Sequence, residues 1–214
     1  MKNILNIRLQ QLQRFHPDTV KAFEWLKQNR DKFSGRVYNP VLLEINLKDS
    51  RYASHIEQVL GGHRSNTFRT FLFEKQEDYL EFTRIAIDQH GWKLTAAWPD
   101  RLREDVTRTP TSTEELRQKF KFEHYMVDLI QAPEFVLKYL CMETKINLIP
   151  VSLQPINEEP VVNSGVFQKF TSAQSFYNVK PNRYSKGSYQ TEVNLLRPAQ
   201  LLNDSSEWQR YDVL

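Results

Sequence analysis

The 214-residue sequence predicts an α+β fold, and three observations carry that reading. After Pro40 the apolar residues switch repeatedly between alternation and helical spacing, as strands and helices following one another along a chain require. The run from Asp49 to Gly62 reads as a short amphipathic helix that stops on two glycines and leads into an apolar strand, Thr67 to Phe73. The composition, 40% hydrophobic and 26% charged, is that of a soluble globular chain long enough to bury a core.

Taken in order, Leu5, Leu9, Leu12 and His16 follow the a/d rhythm of a coiled coil over two heptads. Pro17 starts the next helix as its first residue, and Val20, Phe23, Leu26 and Arg30 continue helical spacing to Lys32. Val41 to Leu47 reads as a strand and Arg51 to Leu60 as a helix, with Ser50 to cap its start and Gly61 as its left-handed stop. Gly62 has no such local duty; a second glycine lets another backbone approach, which suits a phosphate or a neighbouring sheet edge. Thr67 to Phe73 then reads as a strand, Glu77 to Gln89 as a helix and Lys93 to Trp98 as a strand, completing a βαβαβ half.

Pro99 to Thr111 is charged and rich in turn formers, so a mobile loop is expected there. Ser112 and Glu115 form a capping box for helix that runs, broken near Lys121, to Ile130. Pro133 opens a further helix to Cys141 with Val136, Leu137 and Leu140 as its buried stripe. Lys145 to Val151 reads as a strand, Gln154 to Ser164 as a second loop, and Val166 to Phe170 and Ser175 to Lys180 as short strands. Pro181 to Leu214 has no clean period.

Several function classes are disfavoured. No apolar stretch is long enough to span a bilayer, and the first residues lack the apolar centre of a secretory signal. The single cysteine, Cys141, excludes an internal disulfide, fits a reducing compartment and sits on an apolar helix face where an inert thiol is expected. The five histidines have no metal-ligand spacing, so no metal and no cofactor is expected in this fragment. His55 and Glu57 are expected at the surface of their helix. Gly61-Gly-His-Arg-Ser65 matches neither phosphate loop, and it ends a helix instead of opening one, so a nucleotide is disfavoured there. The acidic groups Glu74, Glu77 and Asp78, and Glu114 and Glu115, lie where helix starts want carboxylates, and no catalytic residue is assigned.

The net charge of +3 is small but unevenly placed. Lys169, Lys180, Arg183 and Lys186 lie between Pro160 and Gln190 without an intervening acid, interleaved with Phe167, Phe170, Phe176, Tyr177, Tyr184 and Tyr189. Cations for phosphates and flat rings for unstacked bases are what single-stranded nucleic acid needs, although Phe170 and Phe176 also fit an inward strand face. Lys180, Arg183 and Lys186, with Tyr184 as a stacking ring, are the candidate DNA contacts.

The order of elements resembles the hinge domain of the structural maintenance of chromosomes (SMC) family. The resemblance rests on Val59-Leu-Gly-Gly62, the strand Phe68 to Phe73 and the acidic helix start Glu77-Asp-Tyr-Leu. Trp25-Leu26 with Asn29-Arg-Asp31 and Phe33, Phe73-Glu74 with Gln76-Glu-Asp78, Ala132-Pro133 with Tyr139-Leu-Cys141, and Ala199-Gln200 are most similar to the fifth member, which pairs with the sixth. What the resemblance implies is an SMC hinge fold of two mixed β-sheet subdomains with flanking helices and coiled-coil stubs at the chain ends. It implies the end of an incoming arm and a leading helix at 1–32, a first subdomain at 33–98, a second with its connecting loop at 99–190, and a return segment at 191–214. It implies a non-catalytic fragment of a nuclear chromosome-repair ATPase, a heterodimer with the sixth SMC protein's hinge, and contact with single-stranded DNA. Gly61, Gly62, Arg69 and Phe71 would form one partner interface and Gly187 a reduced second one, with the strand after Gly62 pairing edge to edge. Bulky residues at both glycines would then weaken pairing without unfolding the chain. A stand-alone single-stranded nucleic-acid-binding α/β module is the competing reading.

Overall fold

A computed structural model describes residues 2–100, 102, 104–182 and 188–203. The elements begin with α1 (Lys2–Phe15), α2 (Pro17–Gln28), β1 (Val37–Tyr38), α3 (Val41–Glu44), β2 (Asn46–Leu47), α4 (Ala53–Leu60) and β3 (Thr70–Phe73). They continue with α5 (Gln76–Thr83), β4 (Thr95–Ala97), α6 (Thr113–Phe120), β5 (His124–Tyr125), β6 (Ile130–Gln131) and α7 (Glu134–Thr144). The last are β7 (Pro150–Ser152), α8 (Glu158–Ser164), β8 (Lys169–Ser172), β9 (Ser175–Pro181) and β10 (Tyr189–Leu195). Two compact units result: the segment up to Glu44, Gly61–Pro99 and the segment from Ala199 build the first, and Ile45–Leu60 with Asp100–Pro198 the second.

The first unit is a three-stranded sheet, ordered β1-β3-β4, against an aromatic core. β1 runs antiparallel to β3 and β4 parallel to it. Phe82 on α5 is the hub, with its ring 5.0 Å from both Phe71 and Phe73 and 6.3 Å from Phe33 and Trp25. Asp78 on α5 accepts from the Ser34 and Gly35 amides at 3.0 and 2.6 Å, so this buried acid holds a loop instead of serving only its own helix start. On α1 the buried stripe is offset from the heptad read in the sequence: Arg8 and Leu12 are buried while Leu5 is exposed. Arg8 covers its cost of burial by donating to the Leu42 carbonyl at 3.0 Å. The returning chain buries Ala199, Leu201 and Leu202, and Gln11 donates to the Asn203 carbonyl at 3.4 Å.

The second unit holds a five-stranded sheet ordered β10-β9-β8-β7-β5 and a small β2–β6 ladder. Only the β7–β8 pair is parallel; the other three are antiparallel. Phe167 sits centrally in its core, 5.1 Å from Phe120, 5.9 Å from Phe122 and 6.3 Å from Tyr125, ring to ring.

Several local expectations differ from what forms, each for a physical reason. Val41 to Leu47 is not one strand: the Pro40 carbonyl accepts from Leu43, and Glu44 accepts from the Asn39 amide at 2.8 Å, closing one helical turn that becomes α3. An unbroken apolar run does not distinguish the two outcomes. The helix expected to reach Ile130 stops at Lys121, which adopts φ 63°, and β5, a 3₁₀ turn at Met126–Leu129 and β6 follow. Lys145 (φ 60°) likewise ends α7, and a 3₁₀ turn at Ile146–Leu148 precedes β7. The loop expected at 154–164 contains α8, which Asn157 caps by accepting from the Glu159 amide and Gly165 ends at φ 67°. Ser112 does cap α6, accepting from Glu115 at 3.1 Å.

Candidate partner and nucleic-acid interface

A 3₁₀ turn at Ser50–Tyr52 leads into α4, and its cap is Asp49, not Ser50: the Asp49 carboxylate accepts from the Arg51 amide. The helix ends at Gly61, whose φ of 88° is left-handed, and a Cβ there would lie 2.6 Å from the Ser65 Cβ. Both backbone angle and space demand glycine. Gly62, at φ 59°, opens a 3₁₀ turn through Arg64. Gly61 is exposed and Gly62 half-buried, so the turn lies at the surface.

The turn is fastened within its own unit. The Phe15 ring stacks on His63 at 4.6 Å, and His16 Nε2 lies 2.7 Å from the His63 carbonyl. Arg69 Nη1 is 3.4 Å from His16 Nδ1, and its Nε donates to Asn66 Oδ1 at 3.0 Å. A guanidinium only donates, so Nδ1 is the acceptor and Nε2 carries the proton. Burial, with the nearby Arg69 cation adding to it, holds His16 below its usual pKa, against the opposing pull of the His63 carbonyl.

Of the residues proposed for the partner contact, Gly61, Gly62 and Arg69 lie in this turn and the residues after it. Phe71 does not reach the surface: it is fully buried and packs on Phe82. The edge-pairing role expected of the strand after Gly62 is corrected, since β3 is the inner strand of its sheet, with β1 on one side and β4 on the other. Gly61 also has a duty to its own chain, so bulky replacement there is expected to destabilise the monomer. Gly187, Arg183, Tyr184 and Lys186 lie outside the described residues.

Among the described residues the longest edge strand of the three-stranded and five-stranded sheets is β10. It pairs with β9 over seven residues and ends the five-stranded sheet, with no strand on its outer side among the described residues. Phe170, Tyr177 and Val193 stand opposite one another across β8, β9 and β10, and so share a face. Phe170 is buried and stacks on the half-buried Tyr177 at 4.4 Å, whereas Val193 is 50% exposed and Leu195, next on that face, 77%. The core face of the sheet therefore continues into solvent at its margin. The opposite face carries Lys180, Asn178, Lys169, Gln190, Glu192 and Asn194.

Lys180 is exposed and pairs loosely with Glu192 at 3.5 Å, a neighbour the sequence could not supply. Such an exposed pair contributes little stability but partly neutralises the cation. Phe167 is core, and Tyr189 leans on α8, where a Cβ on Gly165 would lie 2.3 Å from its hydroxyl. The sequence does carry a signal for β10: Tyr189, Thr191, Val193 and Leu195 alternate strictly with Gln190, Glu192 and Asn194.

The titratable cluster of the second unit is buried. His55, expected at the surface, is 3% exposed and its Nδ1 lies 2.9 Å from Thr171 Oγ1. Desolvation pushes its pKa down to about 4, only partly offset by the Glu123 charge. Glu123 accepts from the Tyr52 hydroxyl and from the Leu153 amide, and burial together with this bond raises the Tyr52 phenol. Burial pushes the Cys141 thiol up to about 11, which leaves it protonated and unreactive at neutral pH. Among the described residues no helix is long and apolar enough to cross a membrane, and no group of three or more His, Cys, Asp or Glu could hold a metal ion.

No protein-family model matches the chain. It is 28% identical over 137 residues to structural maintenance of chromosomes protein 5 of Schizosaccharomyces pombe, covering 63% of this chain and 12% of that protein. Over 192 residues it is 24% identical to the protein of the same name from Caenorhabditis elegans, covering 86% of this chain and 17% of the relative. The chain thus spans less than a fifth of the length of these curated relatives. Its fold matches the crystal structure of the S. pombe Smc5/6 hinge domain with a TM-score of 0.75 at 23% identity, over 91% of this chain and 73% of that one.

Proposed function

We propose that this chain, homologous to the fifth SMC proteins and folded as an SMC hinge, joins two SMC arms by pairing with the hinge of the sixth SMC protein. The observation that carries the reading is the margin at β10: an edge strand with no strand on its outer side among the described residues, whose exposed Val193 and Leu195 continue a buried sheet face. Such an edge offers main-chain hydrogen bonds for affinity and alternate side chains for specificity. Left bare it is an aggregation hazard, which a cognate partner removes. The surface turn at Gly61–Arg69 supplies a second contact through Gly61, Gly62 and Arg69. Nuclear, chromosomal work in DNA repair and an ATPase head elsewhere in the full-length protein belong to the same reading.

Contact with single-stranded DNA is the second part of the proposal, carried by Lys180 with Arg183, Lys186 and Tyr184. Charge reversal of the three cations is expected to weaken binding of an oligothymidylate and to flatten its salt dependence, since fewer counterions are released. Anisotropy at two salt concentrations reads both effects; unchanged binding rejects these residues. The pairing is tested by size-exclusion chromatography with light scattering on a mixture with the sixth protein's hinge. One-to-one complex formation supports the hinge reading, and two persistent monomers favour a stand-alone nucleic-acid-binding module.

A further inference from the structure

We propose that a pocket beside β5, at the sheet margin away from β10, docks an acidic peptide segment with an apolar side chain, contributed by another protein. The pocket measures about 490 Å³. That falls within the range of roughly 300–1,000 Å³ typical of binding clefts. One wall is the segment with Val106, Arg108 and Pro110; the other is the end of α7 at Met142 and the turn carrying Leu148. Both are held in place. Lys138 on α7 pairs with Glu104 at 2.8 Å, and Asn147 Nδ2 donates to the Arg108 carbonyl at 2.7 Å.

Three features select the occupant. Leu148 is 40% exposed at the mouth although Val106, Pro110 and Met142 provide apolar surface around it, so an entering Leu or Val side chain would bury area on several sides. Among the described residues Arg108 is exposed and makes no ion pair, and the Lys145 ammonium donates to the Met142 carbonyl at 2.7 Å and to no carboxylate. Asp105, the one acid on the wall, has a partner of its own. The free cations therefore favour carboxylates flanking the apolar residue. Asn147 adds an independent sign: it is 5% exposed, and its Oδ1 has no donor. Its Nδ2 is committed to the Arg108 carbonyl, so only an incoming donor such as a peptide N–H can satisfy the Oδ1. Nucleic acid fits less well, because the pocket offers no aromatic face on which a base could stack.

The test is a titration of the isotope-labelled 214-residue chain with acetyl-Glu-Asp-Leu-Val-Asp-Glu-amide, followed by amide NMR. Saturable shifts confined to residues 105–110 and 142–148 are expected. Arg108→Glu and Leu148→Ser, both at exposed positions that leave the fold intact, should each weaken binding by about fivefold to tenfold. The lysine-for-acid counterpart peptide should bind at least about tenfold more weakly. Absence of a saturable shift, equal binding of the basic peptide, indifference to both substitutions, or displacement by oligothymidylate each overturns the proposal.

Discussion

β3, a nearly continuous apolar run, and β10, apolar only at alternate positions, both follow a glycine-bearing segment and meet opposite fates. All four residues of β3 are buried and both its edges are paired, whereas β10 keeps one edge open and exposes Val193 and Leu195. The difference teaches that hydrophobicity alone does not mark a contact surface. Phe71 is the more apolar candidate, yet its contribution goes to its own core; β10 is available because the sheet stops there.

The contrast can be broken from the β3 side first. Phe71→Ala removes a fully buried ring from the Phe82 cluster and is expected to cost about 3–5 kcal/mol in urea unfolding. A loss below about 1 kcal/mol would mean that β3 is less committed to the core than its burial implies. Gly61→Val is expected to cost roughly 2–4 kcal/mol, since it combines a left-handed backbone with a clash against Ser65. The Gly61 residue is thus a structural requirement before it is a partner contact, and full stability in the variant would reverse that order.

His55 sharpens the comparison inside the second unit. Its folded pKa, about 4, lies below the ordinary histidine value of 6.5, so the neutral form is favoured by folding. The stability it contributes is fully present above pH 6.5 and is lost as pH falls through about 4. The steepest loss is about 1.4 kcal/mol per pH unit. His55→Gln should flatten the stability profile between those pH values, measured by urea unfolding at several pH values; an unchanged slope would show that His55 is not the titrating group. The smallest effect belongs to the sheet margin: Val193→Thr with Leu195→Thr should change monomer stability by less than about 0.5 kcal/mol, because both side chains are at least half exposed. The same double variant should lose partner affinity in a light-scattering titration.

Local signals were the legible part of the fold. Pro17 at the start of α2, the Ser112–Glu115 cap, the Gly61 stop and the β8 and β9 strands each follow from a few adjacent residues. What escaped depends on distant ones. Arg8 is polar and falls in a gap of the heptad, and its burial needs the Leu42 carbonyl 34 residues away. His55 is buried because Thr171, 116 residues on, meets it. Lys121 and Lys145 end helices in left-handed conformations without a glycine to announce them. For the interface, the glycine turn was legible from Leu60-Gly61-Gly62, but that β3 has no free edge depends on its pairing with β1 and β4. The alternation in β10 was readable and became meaningful only with its neighbour β9 beside it.

Hydrogen exchange on the chain with and without the sixth SMC protein's hinge tests the central claim most directly. The account predicts that amides of residues 189–195 facing away from β9 gain protection in the complex while those of β3 do not change. A complex that forms with the β10 amides exchanging as fast as in the free chain would contradict it.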